Sequence, residues 1–212
     1  MQLIFIGSSM TKRNKSCESE VMLTMQRKEL LKKSAIRHAE YYGMVEVQDA
    51  LYADSANKKI FTDLISIIGS DANIKMAYRN LKSNKGSNTP GVDGKTFKDL
   101  AEMSEEALVR CVRDKILNYQ PKAVRRVYIP KPNGKMRPLG IPTVIDRIVQ
   151  QSVLQVMEPI CEAKFYRHSY GFRPNRSTKN AVAVCYKLAQ VDGFHYVVDV
   201  DIKGFFDNVD HG

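Results

Sequence analysis

Between residues 124 and 141 the chain has little choice but to turn back on itself. Two strand-like runs, 124–129 and 136–141, flank Pro130-Lys131-Pro132-Asn133-Gly134-Lys135. An Asn-Gly step between β-type runs is a strong hairpin signal, because both residues tolerate the positive φ of a tight turn. The prolines remove backbone donors, so this hairpin is expected at an exposed or edge position. Its tip and second strand carry Lys131, Lys135 and Arg137 on a stiffened, protruding element. Arginine there can grip phosphate through a bidentate fork and lysine can act as a point charge, while a plain solvated basic hairpin is the competing reading.

Helical spacing on both sides of the hairpin makes the chain α+β. Apolar residues recur at helical intervals over 18–42 and 46–68, with Gly43 and Gly69 as stops. A third helix is expected over 71–84 with Asp71 as N-cap, and a fourth over 104–118 with Ser104 as N-cap and acids in its first turn. A long helix over 144–165 follows Pro142, with Pro159 placed to kink or interrupt it, and Ser177 caps another running to Ala189. The segment 85–94 is loop by composition, and residues 1–16 are expected to be frayed. Gly94-Lys95-Thr96 is not a phosphate loop, because Thr89 stands where that motif needs glycine.

Charge narrows the possible partners. The 212 residues include 33 Lys plus Arg against 23 Asp plus Glu, a formal net charge of +10. The surplus is concentrated: no acid stands between Asp114 and Asp146 or between Glu162 and Asp192. A polyanion is the natural partner of such stretches, and nucleic acid suits them better than membrane, since no run approaches the length of a membrane span. Cys17, Cys111, Cys161 and Cys185 are scattered, which disfavours zinc and a disulfide framework. The N-terminus lacks the basic start of a secretory signal, so the chain reads as cytoplasmic.

After Lys187 the sign reverses. Asp192, Asp199, Asp201, Asp207 and Asp210 follow, with Lys203 the only base among them. Residues 196–202 read as a buried-type strand on which Asp199 and Asp201 face the same way. From the strand alone two readings stay open: a Mg²⁺ site, or a structural Asp that caps the turn at Gly204 or pairs with a neighbouring base.

Taken in order, Ile129-Pro130-Lys131-Pro132-Asn133-Gly134-Lys135-Met136-Arg137-Pro138-Leu139-Gly140-Ile141-Pro142-Thr143, then Asp146-Arg147-Ile148-Val149-Gln150, Ser169-Tyr170-Gly171-Phe172-Arg173-Pro174 and Asp201-Ile202-Lys203-Gly204-Phe205-Phe206-Asp207-Asn208-Val209-Asp210-His211 form a succession that resembles the group II intron-encoded reverse transcriptases, or maturases. Asn88-Thr89-Pro90-Gly91-Val92-Asp93-Gly94 resembles the extra N-terminal motif of that family. The resemblance covers about residues 75–212.

It implies a helix-rich fingers region with a β-hairpin, followed by the beginning of a right-hand polymerase palm. The expected division is a helical N-terminal region over 1–70, fingers over 71–190 and the start of the palm over 191–212. The implied activity is that of an RNA-directed DNA polymerase working by two-metal Mg²⁺ nucleotidyl transfer and assisting intron splicing and mobility. The family pattern of an acid followed five residues later by an aromatic selects Asp201 with Phe206. Asp201 and the Ile202 carbonyl would ligate metal, and Phe206 would favour deoxynucleotides.

Lys131 and Arg137, with Lys135, resemble the residues that hold the incoming triphosphate. Arg173 and Pro174 resemble the segment along the template strand. Arg125, Arg126, Lys164, Arg167 and Arg176 are generic phosphate contacts, with plain surface solvation as the alternative. The implied partners are group II intron RNA, template RNA and primer DNA, with self-association into a homodimer and a bacterial cytoplasmic or organellar location. The departure is the family's second acidic motif: no Asp-Asp dipeptide occurs in the sequence, so the chain is expected not to polymerise DNA alone. The competing readings are a non-catalytic RNA-binding splicing cofactor and a reverse transcriptase of a related lineage, such as the retron, diversity-generating or CRISPR-associated types.

Overall fold

The computed structural model describes residues 37–132, 134–202 and 205–210. Residues 1–16 and most of the helix expected over 18–42 lie outside them, although 37–41 are helical. The chain forms two compact units, one ending at Lys164 and one beginning at Phe165.

The first unit contains α1 (Met44–Ala56), α2 (Leu64–Ile68), α3 (Asp71–Lys82), a 3-10 turn (Lys85–Asn88), α4 (Phe97–Leu100), α5 (Glu105–Leu117), β1 (Arg125–Pro130), β2 (Met136–Ile141) and α6 (Val144–Glu162). Helix α6 is the post on which α1, α2, α3 and α5 lean. It buries Val144, Ile148, Val149, Val156 and Ile160 against Leu51, Ile68, Ile74 and Val112 in one apolar cluster.

Amides pin the helices in register. Asn73, fully buried in α3, donates through Nδ2 to the carbonyls of Ile68 and Ser152, each at 2.9 Å. Gln155 of α6 returns Nε2 to the Asn73 carbonyl at 3.1 Å and to its Oδ1 at 2.7 Å. Asn80 donates to the Gln155 Oε1 at 3.0 Å, and Ser55 of α1 donates to the Ile160 carbonyl at 2.8 Å.

Pro159 does not interrupt α6, which runs through it to Glu162. A helical proline leaves the carbonyl four residues earlier without its N–H partner. Here that carbonyl belongs to Gln155, and Gln48 Nε2 from α1 donates to it at 3.1 Å.

Three further boundaries differ. The single helix expected over 46–68 is two, separated at 57–63, because Lys58 takes φ +60° and Asp63 starts α2 by accepting from the Ser66 amide. Ser70, not Asp71, caps α3, with its hydroxyl accepting from the Asn73 amide. Asp71 occupies the first turn, where its charge suits the helix N-terminus and meets Arg113 of α5. The long helix ends at Glu162 rather than 165.

The hairpin is an antiparallel pair with Val127 opposite Leu139 and Ile129 opposite Arg137. No other strand joins it among the described residues, as its prolines anticipate.

In the second unit α7 spans Thr178–Gln190 and is capped by Ser177, as expected, but it buries none of its residues. The buried strand expected over 196–202 is not there. Those residues form no strand, and Val197 and Val198 are 94% and 84% exposed. A strand exists only when a neighbour takes its N–H and C=O groups; β-branched residues supply preference without the ladder. No described residue pairs with this segment.

The amide network makes a direct prediction. Asn73→Ala removes one of the two acceptors of Gln155 Nε2 and the side-chain donor shared by two carbonyls, and is expected to lower stability by about 2–3 kcal/mol in urea unfolding. Lys59→Ala, which removes an exposed pair with Asp54, is expected to change it by less than about 0.5 kcal/mol.

Candidate nucleic-acid interface

The cationic tip of the hairpin is built by its own backbone. The Lys131 amide donates to the Lys135 carbonyl at 2.8 Å and the Gly134 amide returns to the Lys131 carbonyl at 3.0 Å. Gly134 takes φ +76°, the left-handed conformation expected of it, and Asn133 lies outside the described residues. This closure holds Lys131 and Lys135 at one end of the ribbon with Arg137 at the start of β2, all three exposed. The structure thus brings together the three hairpin cations singled out from the sequence.

Arg125 and Arg126 part company, because neighbouring strand residues face opposite ways. Arg126 is exposed. Arg125 is half-buried, on the face with Val127 and Ile129, and its Nε donates to the Pro90 carbonyl at 3.0 Å.

That bond draws in the 86–94 loop, which is fastened to the start of α6 as well. Arg147 donates through Nε to the Pro142 carbonyl at 3.1 Å, through Nη1 to Gly86 at 2.9 Å and through Nη2 to Thr89 at 2.5 Å. Burial lowers the Arg147 pKa from the ordinary guanidinium value, with Asp93 opposing and Arg125 adding to the effect. Gly91 closes the seam: a Cβ there would stand 2.6 Å from the Thr143 Cα and 2.9 Å from the Pro142 carbonyl oxygen.

Thr143 caps α6 by accepting from the Asp146 amide at 3.2 Å, and its hydroxyl donates to Asp146 Oδ2 at 2.6 Å. Beside this seam lies a cavity of about 450 Å³. Leu100, Met103 and Ile145 line it together with Lys95, Lys115 and Lys122, and with Asp93 and Asp114. Lys164 is exposed at the end of the unit.

In the second unit the arginines serve their own loop. Arg173 is buried, and its Nη1 donates to the carbonyls of Tyr166 and Ser169, each at 2.9 Å. Its guanidinium lies 5.1 Å from the centre of the Phe165 ring. Arg176 donates to the Arg167 carbonyl at 2.9 Å and sits over Tyr170, while Arg167 donates to His168 Nε2 at 2.9 Å. These bonds hold Phe172 and Asn175 at positive φ, with Phe172 wholly exposed and Pro174 exposed beside it.

Asp201 and Ile202 are exposed on the unpaired segment, and Phe205–Asn208 form a 3-10 turn. The Phe206 side chain and Lys203 lie outside the described residues. Among the described residues no group of three or more His, Cys, Asp or Glu side chains converges as a metal site. No described helix is long and apolar enough to cross a membrane.

Residues 129–212, from the hairpin onward, match the reverse transcriptase (RNA-dependent DNA polymerase) family. Protein YkfC of Escherichia coli is 45% identical over 141 residues, 64% of this chain and 36% of its own length. The group II intron-encoded protein LtrA of Lactococcus lactis is 42% identical over 137 residues, 64% of this chain and 22% of its own length. The COX1/OXI3 intron 1 protein of Saccharomyces cerevisiae is 31% identical over 169 residues, 77% of this chain and 19% of its own length.

The chain is similar to the group II intron reverse transcriptases. It spans about a third or less of the length of these relatives. Arg147 is a structural cation that charge counting passed over. Its partners Gly86 and Thr89 lie 61 and 58 residues away, and no local pattern reports a contact at that separation.

Because Lys131 and Arg137 are exposed, replacing both with alanine is expected to shift stability by no more than about 0.5 kcal/mol. Thermal unfolding followed by circular dichroism checks this. A larger loss would show that the hairpin depends on them for its shape.

Proposed function

We propose that this chain is the part of an RNA-directed DNA polymerase that holds nucleic acid and the incoming nucleotide, in a protein that also binds its own intron RNA to assist splicing. The observation that supports it most is the pairing of an exposed cationic hairpin with a loop fastened beside it. In this reading Lys131 and Arg137, with Lys135 near them, meet the triphosphate: lysine as a mobile point charge, arginine through its planar fork. Arg126 and Lys164 in the first unit, and Arg167 in the second, each offer charge to the backbone of a nucleic-acid strand. In the second unit Phe172 and Pro174, thrust outward by the Arg173 and Arg176 bonds, present an apolar edge, and a ring so exposed suits stacking on a base. Group II intron RNA, template RNA and primer DNA are the partners this reading names.

Nucleotidyl transfer in this family uses Mg²⁺. The described residues do not fit a two-metal centre, since Asp201 stands exposed without a converging acidic group. In the whole protein Asp201 and the Ile202 carbonyl would hold metal, and Phe206 would favour deoxynucleotides. The described residues instead bind and orient: they neutralise phosphate and set the path of a strand.

Binding of a short single-stranded RNA across a salt series tests the reading. Each phosphate neutralised contributes about 0.7 to the slope of log K against log salt for a single strand, so the Lys131→Ala, Arg137→Ala double variant is expected to reduce that slope by roughly 1.4. A slope unchanged by the double variant would contradict a phosphate-binding hairpin. Binding of structured intron RNA no tighter than equal-length duplex DNA would contradict the intron-RNA partner.

A further inference from the structure

We infer that Arg147 is a positioning residue that acts on nucleic acid only through the 86–94 loop, which it holds as a preformed edge beside the hairpin, with Arg125 helping from the hairpin side. The inference rests on the nucleic-acid reading above and deepens it.

Three independent features carry it. First, the guanidinium of Arg147 is occupied: Nε, Nη1 and Nη2 each donate to a carbonyl, on Pro142, Gly86 and Thr89. A planar fork spreads its donors over three nitrogens and so joins three carbonyls that lie apart, whereas an ammonium carries its three donors on one atom and reaches only acceptors that converge on it. Second, Arg125 secures the same loop from β1 through the Pro90 carbonyl. Third, Gly91 lies so close to Pro142 and Thr143 that a Cβ would force them apart, the nearest atom being 2.6 Å away.

The loop is therefore tied at Gly86, Thr89, Pro90 and Gly91, while Lys85, Asn88 and Lys95 face solvent. Clamping puts the ordering cost of the loop on folding rather than on binding, so these side chains meet a strand already arranged. An arginine committed to carbonyls has its positive charge near the surface without making a phosphate contact of its own.

The test compares Arg147→Lys, Arg147→Gln and Gly91→Ala in the full chain by two readouts: amide hydrogen exchange over 85–94, and affinity for a short single-stranded RNA over a salt series. All three variants are expected to speed exchange in the loop while the central turns of α6 keep their protection. All three are expected to bind RNA roughly tenfold more weakly, with the salt slope unchanged. Lysine is the discriminating replacement, because it keeps the charge and loses the fork.

If Arg147 met phosphate directly, Arg147→Lys would bind as the parent does and Arg147→Gln would lower the slope by about 0.7. Either result overturns the inference, and so does loop exchange that stays slow in Arg147→Gln. Gly91→Ala leaves every charge in place, so a loss of affinity there supports positioning by a route independent of Arg147. A parent chain that binds no RNA overturns the nucleic-acid reading itself. A parent that binds with Arg147→Lys unimpaired overturns the positioning role alone.

Discussion

A buried side-chain amide that misses a partner forfeits a few kcal/mol, and in the unit ending at Lys164 this requirement locks α3 against α6. Asn73 and Gln155 satisfy each other and the carbonyls on either side, so neither helix can slide or rotate without stranding donors. The apolar cluster around Ile74, Val112 and Ile148 supplies the non-directional attraction, and the amides choose one register from the many that greasy surfaces would accept. Gln48, by serving the carbonyl that Pro159 leaves open, brings α1 into the same arrangement. With α6 fixed, its N-terminal turn becomes a platform. Thr143, Arg147 and the backbone of Pro142 are set where the 86–94 loop must come to rest.

The cations divide the work. Arg125, Arg147, Arg173 and Arg176 donate to backbone carbonyls and shape loops. Lys131 and Lys135 stand at an exposed turn, with Arg137 close by on β2. The division follows from chemistry: a rigid fork of donors suits carbonyls that lie apart, while a strongly hydrated ammonium on a flexible stem suits a moving phosphate. A net charge of +10 thus overstates the number of cations available to a polyanion, because part of the guanidinium capacity is spent inside the fold.

Much of this architecture is legible locally. Asn133-Gly134 announced the hairpin, which the structure places within one residue of expectation, and Ser104 and Ser177 cap the helices they were assigned. Local signals also compete, and there the reading slipped. Ser70 and Asp71 are both good caps, and the loser was settled by Arg113, which meets Asp71 from α5. Asn57, Lys58 and Asp63 interrupt a helix that apolar spacing alone would have continued. Tyr196 to Ile202 has the composition of a strand and no neighbour among the described residues to make it one. Arg147 shows the opposite limit: its role depends on carbonyls about sixty residues away, and only the fold brings them to it.

The central claim is that nucleic acid lies along the hairpin and the clamped loop. Photo-cross-linking of a 4-thiouridine-substituted RNA to the chain, with the attached peptides mapped by mass spectrometry, tests it most directly. The account predicts cross-links concentrated in the 85–95 loop and the 125–137 ribbon. Cross-links confined to the helical face of α1 and α3, with the hairpin and loop unmarked, would contradict it.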